Sequence, residues 1–160
     1  MAGPGPPGRR VVTAVVDITD LIAEVKDPEL PFLSIIDLGI VRAVEVAGRD
    51  VAVSITPTYS GCPAMDAIRT DLEEVLASWG FVPEIRTVLS PAWTTDDITP
   101  EGRRLLAASG IAPPGPIAEV RCPRCSGGAV TVNEFGSTAC KALMVCGTCR
   151  EPFDLFKELR

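Results

Sequence analysis

Residues 41–89 read VRAVEVAGRDVAVSITPTYSGCPAMDAIRTDLEEVLASWGFVPEIRTVL, and their periodicity decides the fold of the larger part of the chain. Val41, Val44 and Val46 lead into Gly48-Arg49-Asp50, and Val51, Val53 and Ile55 alternate beyond it. Alternation on both sides of a glycine-containing turn predicts a β-hairpin. Ala64, Ile68, Leu72, Val75, Leu76 and Trp79 then recur at helical spacing, with charged residues opposite, and Gly80 ends the pattern. Val82 to Leu89 reads as a third strand. Upstream, Ile18, Leu21, Ile22 and Val25 mark a helix that Asp27-Pro28 stops. Downstream, Thr99 is an N-cap ahead of Pro100, so 100–108 reads as a short helix closed by Gly110. These elements make a small α+β domain, a mixed sheet with helices on one face. About a hundred residues can bury a workable core without staples.

The chain has 160 residues, with 15 Lys+Arg, 21 Asp+Glu, six Cys and no His. That length fits one domain plus a small appendage. Without His there is no Ser-His-Asp or Cys-His hydrolase, no imidazole base and no Glu-x-x-His di-iron centre. Neither a Gly-rich dinucleotide fingerprint nor a phosphate-cradling loop is present. With 46% hydrophobic residues and no apolar run near the ~18 needed to span a bilayer, the chain reads as soluble, with no membrane partner. A net charge of −6 argues against nucleic-acid binding, which depends on clustered Lys and Arg. Residues 1–10, MAGPGPPGRR, read as a disordered leader. Asp17 and Asp20 interrupt the apolar stretch after Arg9-Arg10, so a secretory signal is not read. The expected compartment is the cytoplasm, where paired cysteines more often mean metal than disulfide.

The cysteines divide the chain. Cys62 stands alone in residues 1–117, whereas Cys122, Cys125, Cys140, Cys146 and Cys149 crowd the tail. Between them lies IAPPGPI, 111–117, which reads as a linker because proline and glycine cannot continue a helix or a central strand. The expected organisation is an α+β domain over 11–110 and a four-cysteine module over 118–160. Residues 1–117 carry 9 basic and 16 acidic residues, and residues 118–160 carry 6 and 5. Cys122-Pro-Arg-Cys125 and Cys146-Gly-Thr-Cys149 have 20 residues between them. Two facing CxxC turns complete a tetrahedral sulfur site, with Gly127-Gly128 and Gly147 expected to supply the backbone freedom. Ala129–Asn133, Leu143–Val145 and Phe153–Phe156 become the strands of a zinc-ribbon-like module. A tail this small has too little core to fold alone, so metal binding supplies much of its folding free energy. The other reading is two disulfides, and an all-thiolate site suits iron as well as zinc. Cys140 fits neither pair; it reads as a buried small hydrophobe or as a spare thiol near the site.

Cys62 stands immediately before Pro63, which suits the first position of the helix that follows. An N-cap cysteine there meets the helix dipole and free amides, so a thiolate is expected. Cys62 then reads as a nucleophile or cluster ligand, or else as a buried cap of no chemical consequence. Asp27, Glu29 and Asp37 are candidates for neighbouring loops, where charged residues are usually only solvated.

Asp27-Pro-Glu-Leu-Pro31, Ser34-Ile-Ile-Asp-Leu-Gly39 and Thr56-Pro-Thr-Tyr-Ser-Gly-Cys-Pro63 together resemble the small α+β domain of SufT-like and eukaryotic cytosolic iron–sulfur targeting factors. Phe135-Gly-Ser-Thr-Ala-Cys-Lys-Ala142, with Cys146-x-x-Cys149 and Glu151-Pro-Phe-Asp154, resembles one branch of that family. It is the phenylacetate-degradation D branch, also called the J-type subunits of phenylacetyl-CoA oxygenase. The resemblance implies an iron–sulfur-assembly domain joined to a zinc ribbon, with structural zinc on Cys122, Cys125, Cys146 and Cys149. It implies a non-catalytic accessory role in aerobic phenylacetate degradation, assisting cluster assembly or insertion for the phenylacetyl-CoA 1,2-epoxidase. The implied partners are the oxygenase components, above all the iron–sulfur reductase. Cys62 is the implied cluster-handling thiol. A single thiol cannot complete a cluster site, so any iron–sulfur cluster it carries is transient and shared with a client or across a homodimer. The alternative is a structural subunit of the oxygenase with no cluster chemistry.

Overall fold

The computed structural model describes residues 16–160, so the expected leader at 1–10 lies outside the described residues. The chain folds as α1 (Ile18–Glu24), β1 (Val41–Ala47), β2 (Asp50–Ile55), α2 (Ala64–Ser78), β3 (Val82–Thr87), α3 (Pro100–Ala108), β4 (Ile111–Ala112), β5 (Ala129–Asn133), β6 (Lys141–Cys146) and β7 (Pro152–Phe156). This is the α+β class that the periodicity predicts.

The first sheet has the order β1-β2-β3. β1 and β2 are antiparallel across the Gly48 turn, and β2 and β3 run parallel, with Val53 opposite Ile85. A parallel neighbour needs a crossover, and α2 supplies it. Val51, Val53 and Ile55 alternate into the core from β2, and Ile85 joins them from β3. They bury with Ile68, Leu72 and Leu76, spaced four apart on α2. Arg69 fastens the helix to the edge strand, donating to the Ile85 carbonyl at 2.7 Å and the Thr87 hydroxyl at 2.8 Å. Trp79 departs from the expected apolar face: it caps the helix and is exposed.

The motif Ser34–Gly39 serves as a seat for α3. Asp37 takes a 2.6 Å bond from the Ser34 hydroxyl and a 3.2 Å bond from Thr99, while its carbonyl accepts the Thr99 amide. Asp97 and Arg42 form a two-point ion pair, at 3.0 and 3.1 Å, that closes the same corner.

The second sheet has the order β4-β7-β6-β5. Residues 111–117, read from sequence as a linker, open with β4, which pairs in parallel with β7. Proline follows Ala112 directly, so the strand is only two residues long. A small second core gathers Val120, Met144, Phe153 and Leu155 with Cys122 and Cys146. The first core also reaches into this half, because Ile111, Cys140 and Phe156 belong to it. The Trp93 and Phe156 rings meet at 6.2 Å, and the Thr95 amide donates to the Leu159 carbonyl at 3.0 Å.

Candidate metal centre and the Cys62 loop

The two CxxC turns have the same backbone. In the first, the Cys122 amide donates to the Gly127 carbonyl and the Ser126 amide to the Cys122 carbonyl. In the second, the Cys146 amide donates to Glu151 and the Arg150 amide to Cys146. The residue after each second cysteine is left-handed, with φ 61° at Ser126 and 64° at Arg150. Sequence reading assigned that freedom to glycines. The structure uses Gly127 differently: a Cβ there would stand 2.5 Å from the Thr148 hydroxyl and 3.2 Å from the Cys146 sulfur. Gly127 lets the two turns approach each other.

This approach brings Cys122, Cys125, Cys146 and Cys149 together, with every sulfur within 4.8 Å of the others. Cys125 and Cys146 are 3.4 Å apart, and Cys122 and Cys149 are 3.8 Å apart. Four sulfurs on a tetrahedral zinc at ~2.3 Å lie about 3.8 Å apart, so the set fits the ion. Cys122 and Cys146 are buried in the small core, while Cys125 and Cys149 are exposed. The Cys146 thiol is pulled down to about 6, first by the Cys149 amide and then by that of Thr148. Cys149 is pushed up to about 12: the Glu151 amide pulls it down, but burial and the surrounding sulfurs outweigh this. Cys146 thus ionises readily while Cys149 resists, and a cation at the centre would favour the thiolate at both. Zinc held there would be structural: all four positions are filled by protein sulfur.

Cys62 lies at the mouth of the β2–α2 crossover, where the carboxyl end of β2 meets the start of α2. Helix α2 begins at Ala64 and Pro63 is its cap, so Cys62 lies one residue outside the expected N-cap position. It is half-buried against the first core. The surroundings work against the expected thiolate. Burial pushes the thiol up, and Asp27 and Glu29 add to this, while the Ala64 amide and the Thr58 hydroxyl, 4.0 Å away, pull it down. Asp27 also differs from a solvated loop carboxylate. It is buried, and its Oδ1 accepts the amides of Glu29 at 2.8 Å and Leu30 at 2.9 Å. Tyr59, which position gave no reason to single out, adjoins the same thiol. Among the described residues, the tail set alone gathers three or more metal-ligand atoms at bonding separation.

The two halves correspond to two families. Residues 16–86 match the family described as iron-sulfur cluster assembly protein, and residues 109–157 match the PaaD zinc beta ribbon domain. An iron–sulfur-assembly domain carrying this ribbon is therefore the class of protein that fold and site define. The chain is 47% identical to an Escherichia coli (strain K12) protein named as a subunit of a "Putative 1,2-phenylacetyl-CoA epoxidase", over 89% of this chain and 92% of that one, and it belongs to the family of that subunit. It is also 35% identical, over 53% of its length and 83% of the other's, to the Fe-S protein maturation auxiliary factor of Porphyromonas gingivalis (strain ATCC BAA-308 / W83). The crystal structure of a domain of unknown function from Bacillus anthracis superposes with a TM-score of 0.52 at 26% identity, covering 56% of this chain and 87% of that one. No helix among the described residues is long and apolar enough to cross a membrane.

Proposed function

We propose that this chain is a non-catalytic accessory factor that receives or passes iron, or an iron–sulfur cluster, through Cys62 during assembly of a phenylacetyl-CoA epoxidase. The client is the iron–sulfur reductase component, and the work is done in the cytoplasm without nucleic acid. The observation that carries this reading is the placing of Cys62. It is a half-buried thiol at the mouth of a strand–helix crossover, inside the module that matches the assembly family. Crevices beyond the carboxyl ends of parallel strands are where such folds place their ligands. Burial keeps the empty thiol protonated and unreactive, and a thiophilic metal displaces the proton on arrival. One thiolate leaves most of a four-coordinate iron open, so the cargo is shared and leaves easily.

The test is Cys62→Ser, co-produced with the reductase. The variant keeps its fold and tail metal, while cluster occupancy of the reductase falls. Normal occupancy overturns the proposal. That the Escherichia coli relative is named as part of an epoxidase favours a second reading, a structural component of the oxygenase. Stoichiometric co-purification together with indifference to Cys62→Ser selects that one.

A further inference from the structure

Among the described residues the two sheets end in edge strands β1 and β3 in the first and β4 and β5 in the second. An edge offers unpaired amides and carbonyls to another strand, so proteins defend it with charge, proline or shortness. β3 carries Pro83, and Arg69 occupies its Ile85 carbonyl at 2.7 Å. β1 carries Arg42 and Glu45. β4 is two residues long and runs into Pro113. β5 has none of these. Its residues, Ala129-Val-Thr-Val-Asn133, include no charge and no proline, and Val130 and Val132 are 62% and 57% exposed. A register shift between Thr131 and Asn133 bends the strand without covering it. Ile117 and Phe135, also exposed, line one groove with Thr131 and extend the apolar ground beyond the strand.

This edge has a fixed extent. At Gly128 the side toward β6 is taken by the Gly147 amide, which donates to the Gly128 carbonyl at 2.8 Å, and the other side by Arg121, which bridges Gly128 in the antiparallel sense. A strand laid on the edge must therefore stop beside Ala129. For a second copy of β5 running antiparallel, that limit sets Asn133 opposite Ala129, Val132 opposite Val130, and Thr131 opposite its own copy on a two-fold axis. Apolar meets apolar on both sides of the axis, and no like charges are opposed. The next residue of the second copy, Glu134, comes to Arg121. Arg121 donates to the Ala118 and Val120 carbonyls, each at 3.2 Å, and neither it nor Glu134 is in an ion pair among the described residues. Symmetry repeats that charge match at the other end. The balance of charge favours the same half of the chain: residues 118–160 carry 6 basic and 5 acidic residues, whereas 1–117 carry 9 and 16 and repel their own copy.

We propose that β5 is the interface of a homodimer, in which two ribbons join edge to edge into one continuous sheet about a two-fold axis through Thr131. The occupant of the edge is a second copy of this chain, because the same short strand supplies both halves of the register and both of the matching charges. The proposal goes beyond the cargo reading of Cys62, and neither depends on the other.

The experiment uses the full chain loaded with zinc and weighs it by sedimentation equilibrium over a range of concentrations. The wild type should pass from one chain to two as concentration rises. Val132→Lys removes a cross-strand pair on each side of the axis and should weaken the dimer about tenfold. Glu134→Arg should weaken it as well, and adding Arg121→Glu in the same chain should restore it, a rescue that a damaged tail cannot give. Zinc content and circular dichroism establish that each variant is folded. A wild type that remains a single chain throughout overturns the proposal, and so does a dimer that Val132→Lys and Glu134→Arg both leave unchanged. Hydrogen exchange of the wild type supplies a check that needs no variant: the amides of β5 should exchange more slowly in concentrated than in dilute protein. Amides slowed only when the reductase is added assign the edge to the client and overturn the second copy.

Discussion

Replacing Gly39 by Ala measures how tightly the first module is closed at the α3 corner. Gly39 has φ +75°, and a Cβ there would overlap the Asp97 carbonyl oxygen and stand 2.6 Å from its carbon. Those are backbone atoms, and Asp97 is held by Arg42 and by the Thr94 amide at 2.8 Å, so they yield only by shifting the corner. The left-handed conformation costs a side chain about 1–2 kcal/mol. Overpacking adds about 1–3 kcal/mol. Gly39→Ala should therefore lose about 2–5 kcal/mol, which for a chain of this size lowers Tm by about 4–20 °C. Gly48→Ala is the internal control. Gly48 has φ +65° with nothing within 4 Å of its Cβ, so only the conformational cost of about 1–2 kcal/mol applies. Urea unfolding of the metal-loaded proteins, followed by circular dichroism and tryptophan fluorescence, gives both losses. Equal losses in the two variants refute the argument, because the contact with Asp97 would then cost nothing.

Asp97→Asn tests the same corner through pH. Burial raises the Asp97 carboxyl, but the Arg42 hydrogen bonds and the Thr94 amide outweigh it and leave the group below its usual range. A depressed carboxyl contributes stability above its unfolded value, about 3.9, and loses it as pH falls through the folded value. The variant should be less stable than the wild type at neutral pH and converge with it in acid; a gap that persists unchanged to pH 2 contradicts the assignment. Stripping the tail metal with a chelator should release one ion per chain and deprotect the amides of the two CxxC turns, while those of β2 and α2 stay protected. Hydrogen exchange reads this directly, and a tail that stays protected without metal would show that Met144, Phe153 and Leu155 suffice to hold it.

Sequence reading succeeds where a period or a spacing carries the information. The hairpin at Gly48, the 64–78 helix and the facing CxxC turns are local patterns, each spanning few residues, and the structure has all three. It fails where a residue's partner is far away in the chain. Cys140 looks like part of the ribbon because four other cysteines surround it in sequence, yet its strand delivers it to the other core. Cys62 looks like a thiolate because a helix follows it. Burial against the first core pushes it the other way, and the acidic turn of Asp27 and Glu29, more than thirty residues earlier, adds to this. The expectation that glycines shape the CxxC turns missed Ser126 and Arg150, because local hydrogen bonding there tolerates an ordinary side chain.

The sharing of the first core with Ile111, Cys140 and Phe156 has a consequence for synthesis. A ribosome makes Cys62 and the strands around it long before it makes Phe156, so the emerging assembly domain lacks one of its largest fully buried side chains until β7 has been made. An interrupted product would carry the Cys62 loop on an open core, with apolar surface for chaperones and proteases to recognise. Only chains made through to β7 close that core.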